Sequence, residues 1–219
     1  YQEIDMSLKS ILNLRMICNH PTLHTSSLAL SSDVQPIIET NASGKMKMLH
    51  ALLTTFYAQH RCARGNVDSR QKQLCVSGLH PEHVVIVSNF TTTLDVVAAM
   101  AHQEQWNYLR IDGNTPPDQR QMLVDRFNHA ASGDVSTSAG EHAFLFLLSS
   151  RAGGVGLNLV GASRLVLFDS DWNPAIDAQA VGRVWRQGQR RAVFTYRFLS
   201  TGTVEEKIFQ RQIAKGELS

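Results

Sequence analysis

Val84-Val-Ile-Val-Ser88 is the stretch whose reading decides the fold. An unbroken apolar run of strand length, rather than an alternating one, predicts a strand covered on both faces, as in a parallel sheet. Downstream, Thr92-x-x-Asp95 has capping-box spacing and predicts a helix to about Gln105, after which Tyr108 to Ile111 reads as a second strand. That is a βαβ unit, and the pattern repeats. Thr115-x-x-Asp118, with Pro116 and Pro117, predicts a helix to Phe127; Ala143 to Leu148 and Arg164 to Phe168 are strands; Asn173 to Gln189 is a helix; Val193 to Phe198 is a strand; Thr203-x-x-Glu206 opens a last helix. The expected fold class is α/β, a parallel sheet with helices on both faces.

Upstream, residues 4 to 18 have helical spacing (Ile4, Leu8, Ile11, Leu12, Leu14, Arg15) and stop at Cys18-Asn-His-Pro21, where the proline disfavours helix before it. Residues 22 to 43 read as a loop, and Gly44 to about His60 as a helix carrying Met46, Leu49, Leu52, Leu53 and Phe56. The expected organisation is a leading helical segment over 1–60, a polar insertion over 61–82, the α/β lobe over 83–200 and a C-terminal helix over 201–219. A second polar insert spans His129 to His142.

The composition is that of a globular protein: 219 residues, 43% hydrophobic. With 21 basic and 19 acidic residues, any nucleic-acid footprint has to be local, and the clearest cluster is the acid-free run from Arg183 to Arg191. No apolar run approaches the roughly 20 residues that span a bilayer, so no membrane partner is expected. Three cysteines do not make a disulfide framework and favour a reducing compartment; Cys18, His20 and His24 lack the paired spacing of a zinc site, and no metal site is expected. The chain opens on Tyr1, as an excised piece of a longer protein would.

In such sheets ligands bind beyond the carboxyl ends of the strands. Three candidate segments fall there. Ser149-Ser-Arg-Ala-Gly-Gly-Val-Gly156 carries Ser149, Ser150, Arg151, Gly154 and Gly156, and exposed backbone amides there suit a phosphate; the same glycines equally suit a tight turn. Asp169-Ser-Asp-Trp-Asn-Pro174 carries Trp172, a stacking platform for a base or a buried anchor for its loop. On the predicted helix, Gln179, Arg183 and Arg186 share one face at i, i+4 and i+7, while Ile176, Ala180 and Val184 form an apolar stripe; Asp177 reads as a ribose ligand or as a charge favouring the helix start. Two guanidinium forks can neutralise a transferring phosphoryl group, or can be surface charge. Gly44-Lys45 is no Walker A loop, because Glu39 and Met46 stand where a glycine and a Ser or Thr belong. Arginine fingers with no ATP and magnesium cradle suggest half of a composite site.

Together these motifs resemble the second RecA-like lobe of the SWI/SNF-type DNA-dependent ATPases of helicase superfamily two. The resemblance runs through Leu14-Arg-Met-Ile-Cys-Asn-His-Pro21, Ser43-Gly-Lys-Met46, Val84 to Phe90, Ile111-Asp-Gly-Asn-Thr115, Leu148 to Leu159, Phe168-Asp-Ser-Asp-Trp-Asn-Pro174 and Gln179 to Gln189. Arg183-Val-Trp-Arg186 and Gly202 to Gln212 are most similar to the Rad-fifty-four recombination-repair translocases. The resemblance implies a RecA-like fold, nuclear location and work on double-stranded DNA in homologous recombination repair, with a recombinase filament as a possible partner. It also implies that Arg183 and Arg186, assisted by Gln179, reach ATP held with Mg mainly by a first RecA-like lobe, with Gly154, Gly156 and Asp177 as further nucleotide-site candidates. Ser88, Asn89, Thr91, Ser149, Ser150, Arg151 and Trp172 would face the DNA backbone. The isolated lobe is expected to be inactive. The competing expectation is a non-catalytic module that binds DNA or protein.

Overall fold

The structure is a computed structural model that describes residues 2–24, 39–65, 80–132, 142–152 and 156–216. The decisive run forms β1 (Val84–Ser88), every residue of which is buried. With β2 (Tyr108–Ile111), β3 (Leu145–Ser149), β4 (Arg164–Leu167) and β5 (Phe194–Arg197) it builds a parallel sheet in the order β2-β3-β1-β4-β5. β1 is therefore central. Its register sets Val84 between Leu145 and Arg164, and Ser88 opposite Ser149.

Side chains alternate across a strand, so β1 serves two cores. Val84 and Ile86 pack with Met46, Leu49 and Leu53 of α2 (Gly44–Ala63) and with Leu94, Val97 and Met100 of α3 (Thr91–Gln103). Val85 and Val87 pack with Val124 and Phe127 of α4 (Pro117–Ser132) and with Ala180 and Val184 of α5 (Pro174–Val184). Both faces are covered, and the α/β, RecA-like expectation holds. Each fully buried aliphatic side chain contributes about 1.5–3 kcal/mol relative to exposure. Because α2 belongs to the sheet's own core, the boundary expected near residue 60 falls inside one packed unit. Most of the 61–82 insertion and residues 133–141 of the second insert lie outside the described residues, whereas residues 129–132 continue α4.

Several element ends differ from expectation. The Thr92 capping box does not form: α3 starts at Thr91, its N-cap is Phe90, and no side chain caps it. Asp95 instead pairs with Arg110 of β2 at 2.6 Å, a tertiary use of the carboxylate that outcompetes the local one. At α6 (Val204–Gly216) the local signal does hold. Thr203 Oγ1 accepts from Glu205 N at 3.2 Å, and Glu206 Oε2 accepts from Gly202 N at 2.7 Å.

The leading helix α1 (Gln2–Asn19) inverts its expected polarity. Leu8, Leu12 and Leu14 are 57%, 45% and 50% exposed, while Arg15 and Asn19 are buried. Cys18 is a free thiol, whereas Cys62 is disulfide-bonded, which counts against the reducing compartment expected from the cysteines. His20 is occupied by Thr22 Oγ1 at 2.7 Å and Glu39 O at 3.2 Å. Among the described residues no group of His, Cys, Asp and Glu is placed to hold a metal ion, and no helix is long and apolar enough to cross a membrane.

Candidate functional site

A groove of about 460 Å³ lined by His102, Trp106, Tyr108, Arg126 and Ala143 opens at the amino ends of β2 and β3. Ligands of open α/β sheets bind at the other edge, and the candidate side chains gather there. At the carboxyl ends of β1, β3 and β4 they are organised by Asp169, a buried residue to which the sequence assigns no role beyond opening the segment that carries Trp172. Asp169 Oδ2 accepts from Ser88 Oγ at 2.5 Å and Asn19 Nδ2 at 3.0 Å; Oδ1 accepts from Asn89 N and Asn89 Nδ2, both at 2.8 Å. Asn89 Oδ1 in turn accepts from Ser150 Oγ at 2.6 Å. Ser88, Asn89 and Ser150 are thus one unit, fixed by a carboxylate. Ser88 and Ser149 are buried, so neither hydroxyl is presented at the surface as expected; Thr91 and Arg151 are exposed at the same edge.

Asn173 caps α5, its Oδ1 accepting from Ala175 N at 3.2 Å, and Pro174 is the first helical residue. The helix ends at Val184, short of Gly188, the residue suited by sequence to the left-handed position just past its end. Trp185 has φ −91° and ψ 85°, which breaks the helical path, and Gly188 at φ +99° turns the chain after the helix has already stopped. Gln179 and Arg183 share the helix, but Arg186 lies beyond it and is brought back by the loop. Its Nη1 donates to Gly156 O at 3.0 Å, which joins the second arginine to the end of the glycine loop. The Arg183 carbonyl accepts from Leu159 N at 2.9 Å, tying the same loop to α5.

Arg183 is buried, at 8% exposed, yet its guanidinium has no hydrogen-bond or ion-pair partner among the described residues. Arg15, also buried, donates to Ser170 O at 2.8 Å. Burial, and after it the Arg186 charge, hold the Arg183 guanidinium below its ordinary pKa. A partly desolvated cation near a second cation is electrostatically unfavourable, and a bound anion would relieve it. Gln179 is exposed on the same helix.

The other candidates divide. Gly154 lies outside the described residues. Trp172 is half-buried, with the Arg211 guanidinium 6.0 Å from its ring centroid. Asp177 is buried and engaged internally: Oδ2 accepts from Gln212 Nε2 at 2.9 Å and lies 3.6 Å from Arg197, while Oδ1 accepts from Asp171 N at 3.3 Å. Burial raises its pKa, and the Gln212 hydrogen bond opposes that rise. It joins α5 to α6 and β5.

Sequence reasoning missed the supports behind the edge. Lys45, discounted with the Walker A loop, is buried and pairs with Glu205 of α6 at 2.5 Å and Asn19 Oδ1 at 2.8 Å. Asn19 therefore bridges Lys45 to Asp169. The one local hint was the pair Arg15 and Asn19, spaced i, i+4 near the end of the helix.

A glycine-loop strand end, an arginine-bearing helix with an anchored N-terminus and a five-stranded parallel sheet are the features of a RecA-like lobe. Residues 68–188 match the family model for the helicase conserved C-terminal domain, and the chain belongs to that family. It is 45% identical to the chicken (Gallus gallus) DNA repair and recombination protein RAD54B, covering 94% of this chain and 22% of that one. Identity to the human (Homo sapiens) DNA repair and recombination protein RAD54-like is 40%, over 97% of this chain and 26% of that one. The chain thus spans about a quarter of these relatives. The crystal structure of the C-terminal part of the Fun30 ATPase domain superposes with a TM-score of 0.61 at 30% identity, covering 92% of this chain and 53% of that one.

Proposed function

We propose that this chain is the second motor lobe of an ATP-dependent translocase or remodeller of double-stranded DNA, acting in the nucleus in homologous recombination repair. The observation that carries the reading is Arg183, a buried residue whose partly desolvated guanidinium has no anion among the described residues, with Arg186 nearby. In this reading ATP and Mg are held mainly by a first RecA-like lobe. Arg183 and Arg186 meet the γ-phosphate on closure, with Gln179 assisting, and a nucleotide bound there supplies the missing negative charge. The unit of Asn89 and Ser150, with Thr91, Arg151 and Trp172, meets the DNA. Such contacts are phosphate-directed, and therefore independent of sequence and weakened by salt. The relatives named for DNA repair and recombination support the process, and a recombinase filament is a partner consistent with it.

The test is Arg183→Ala in the full-length protein. DNA-stimulated ATP hydrolysis falls about 10³-fold, the scale of an arginine finger, while duplex binding is retained. Turnover near that of the unmodified protein would refute the assignment and favour a non-catalytic binding module.

A further inference from the structure

Trp185 is 71% exposed, the most exposed large hydrophobic side chain among the described residues, and it stands between the two arginines in the sequence. Trp106, by contrast, is 3% exposed. Trp185 has no ring or cation partner among the described residues, but its backbone is fixed, with its N–H donating to Val181 O at 2.9 Å at the end of α5. An indole exposed to this extent keeps a large apolar area in water without a ring or cation contact among the described residues. Such residues are the usual anchors of interfaces, where a large rigid ring fills a pocket and the surrounding contacts exclude water.

The surroundings say what covers it. No acidic residue occurs between Asp177 and Glu205, while Arg183, Arg186 and Arg190 neighbour Trp185 in the sequence. A facing surface must therefore bring negative charge together with an apolar pocket. A nucleotide-loaded protein surface does both.

We infer that Trp185 is a positioning residue, the anchor by which this lobe closes on its nucleotide-loaded first lobe. This rests on the reading of Arg183 and Arg186 as groups that meet the nucleotide. Seating the ring would fix the end of α5, and with it both guanidinium groups. It would also exclude water from the phosphates, where each charge interaction then strengthens.

The experiment uses the full-length protein with a non-hydrolysable ATP analogue and duplex DNA. The fluorescence of Trp185 is obtained by subtracting the spectrum of Trp185→Phe from that of the unmodified protein. With the analogue bound, the difference emission is expected to shift to the blue and to become severalfold less quenchable by acrylamide. In steady state, Trp185→Ala lowers kcat/KM for ATP by about tenfold or more, the scale of an interface hot spot, and Trp185→Phe restores most of it. Unchanged quenching in the presence of the analogue overturns the inference, as does protection by DNA alone, which would make the ring a nucleic-acid contact. If Arg183→Ala abolishes turnover and Trp185 stays quenchable, only this inference fails. If Arg183→Ala turns over normally, the underlying reading fails.

Discussion

Replacing Asp169 by asparagine keeps the shape of the side chain and removes half of what it does. The carboxylate accepts from Ser88 Oγ and Asn19 Nδ2 on one oxygen, and from Asn89 N and Nδ2 on the other. An amide has one oxygen to offer. Turned with its NH2 toward Asn89, it sets a donor against two N–H donors. With the NH2 toward Ser88, the hydroxyl can reverse and accept, and the conflict is confined to Asn19, whose Nδ2 also has Thr93 Oγ1 at 2.9 Å. The second orientation is cheaper. It leaves one weakened buried donor and removes charge assistance from the remaining bonds, a cost of about 2–3 kcal/mol. Urea unfolding of the 219-residue chain monitored by circular dichroism measures it. Under the proposed function, the full-length variant should also bind duplex DNA more weakly, because Asn89 then holds Ser150 less firmly. A loss of stability below about 0.5 kcal/mol, within the range of ordinary surface changes, would refute the view that this carboxylate organises the edge.

Three further outcomes follow from the same structure. Burial lowers the His60 pKa from 6.5 to about 4, with Arg64 and His142 adding to that fall against the opposing Glu82 hydrogen bond. The folded state then binds fewer protons than the unfolded state between those values, so stability falls as pH drops through that window. The change approaches about 3 kcal/mol, and His60→Gln should flatten the slope in a pH series of unfolding midpoints. Glu205→Gln leaves Lys45 charged and buried, and should cost about 3 kcal/mol, whereas the joint change with Lys45→Met recovers much of it; a double-mutant cycle by thermal unfolding reads the coupling. Gly182 lies in α5 with open space where a Cβ would sit, so Gly182→Ala should raise stability by about 0.5–1 kcal/mol in the same assay.

The sheet was legible because its signals are local and concordant: unbroken apolar runs at β1 and β3, and turn or cap residues between them. The strands at 84–88 and 108–111 carry the boundaries the sequence predicts. The arginines were legible as a pair, but their geometry was not. Helical spacing placed both on one face, whereas Trp185 leaves the helical region and Arg186 reaches Gly156 from a loop. No propensity marks that break, since Gly188 offers a more obvious stop three residues later. Asp169, Asn19 and Lys45 were illegible for a different reason. Their partners lie 81, 150 and 160 residues away in sequence, and nothing local to a buried polar residue names a partner at that range.

The pair Lys45–Glu205 also has a consequence for the order in which the lobe is made. Translation proceeds at about 5–20 residues per second, so a nascent chain carries Lys45 for roughly 10–30 s before its anion emerges. Burying that ammonium without Glu205 is unfavourable, and the amino end of α2 stays open until α6 arrives. The last helix thus supplies the counter-charge for an element made long before it, and this buried pair can form only after the final helix has been synthesised.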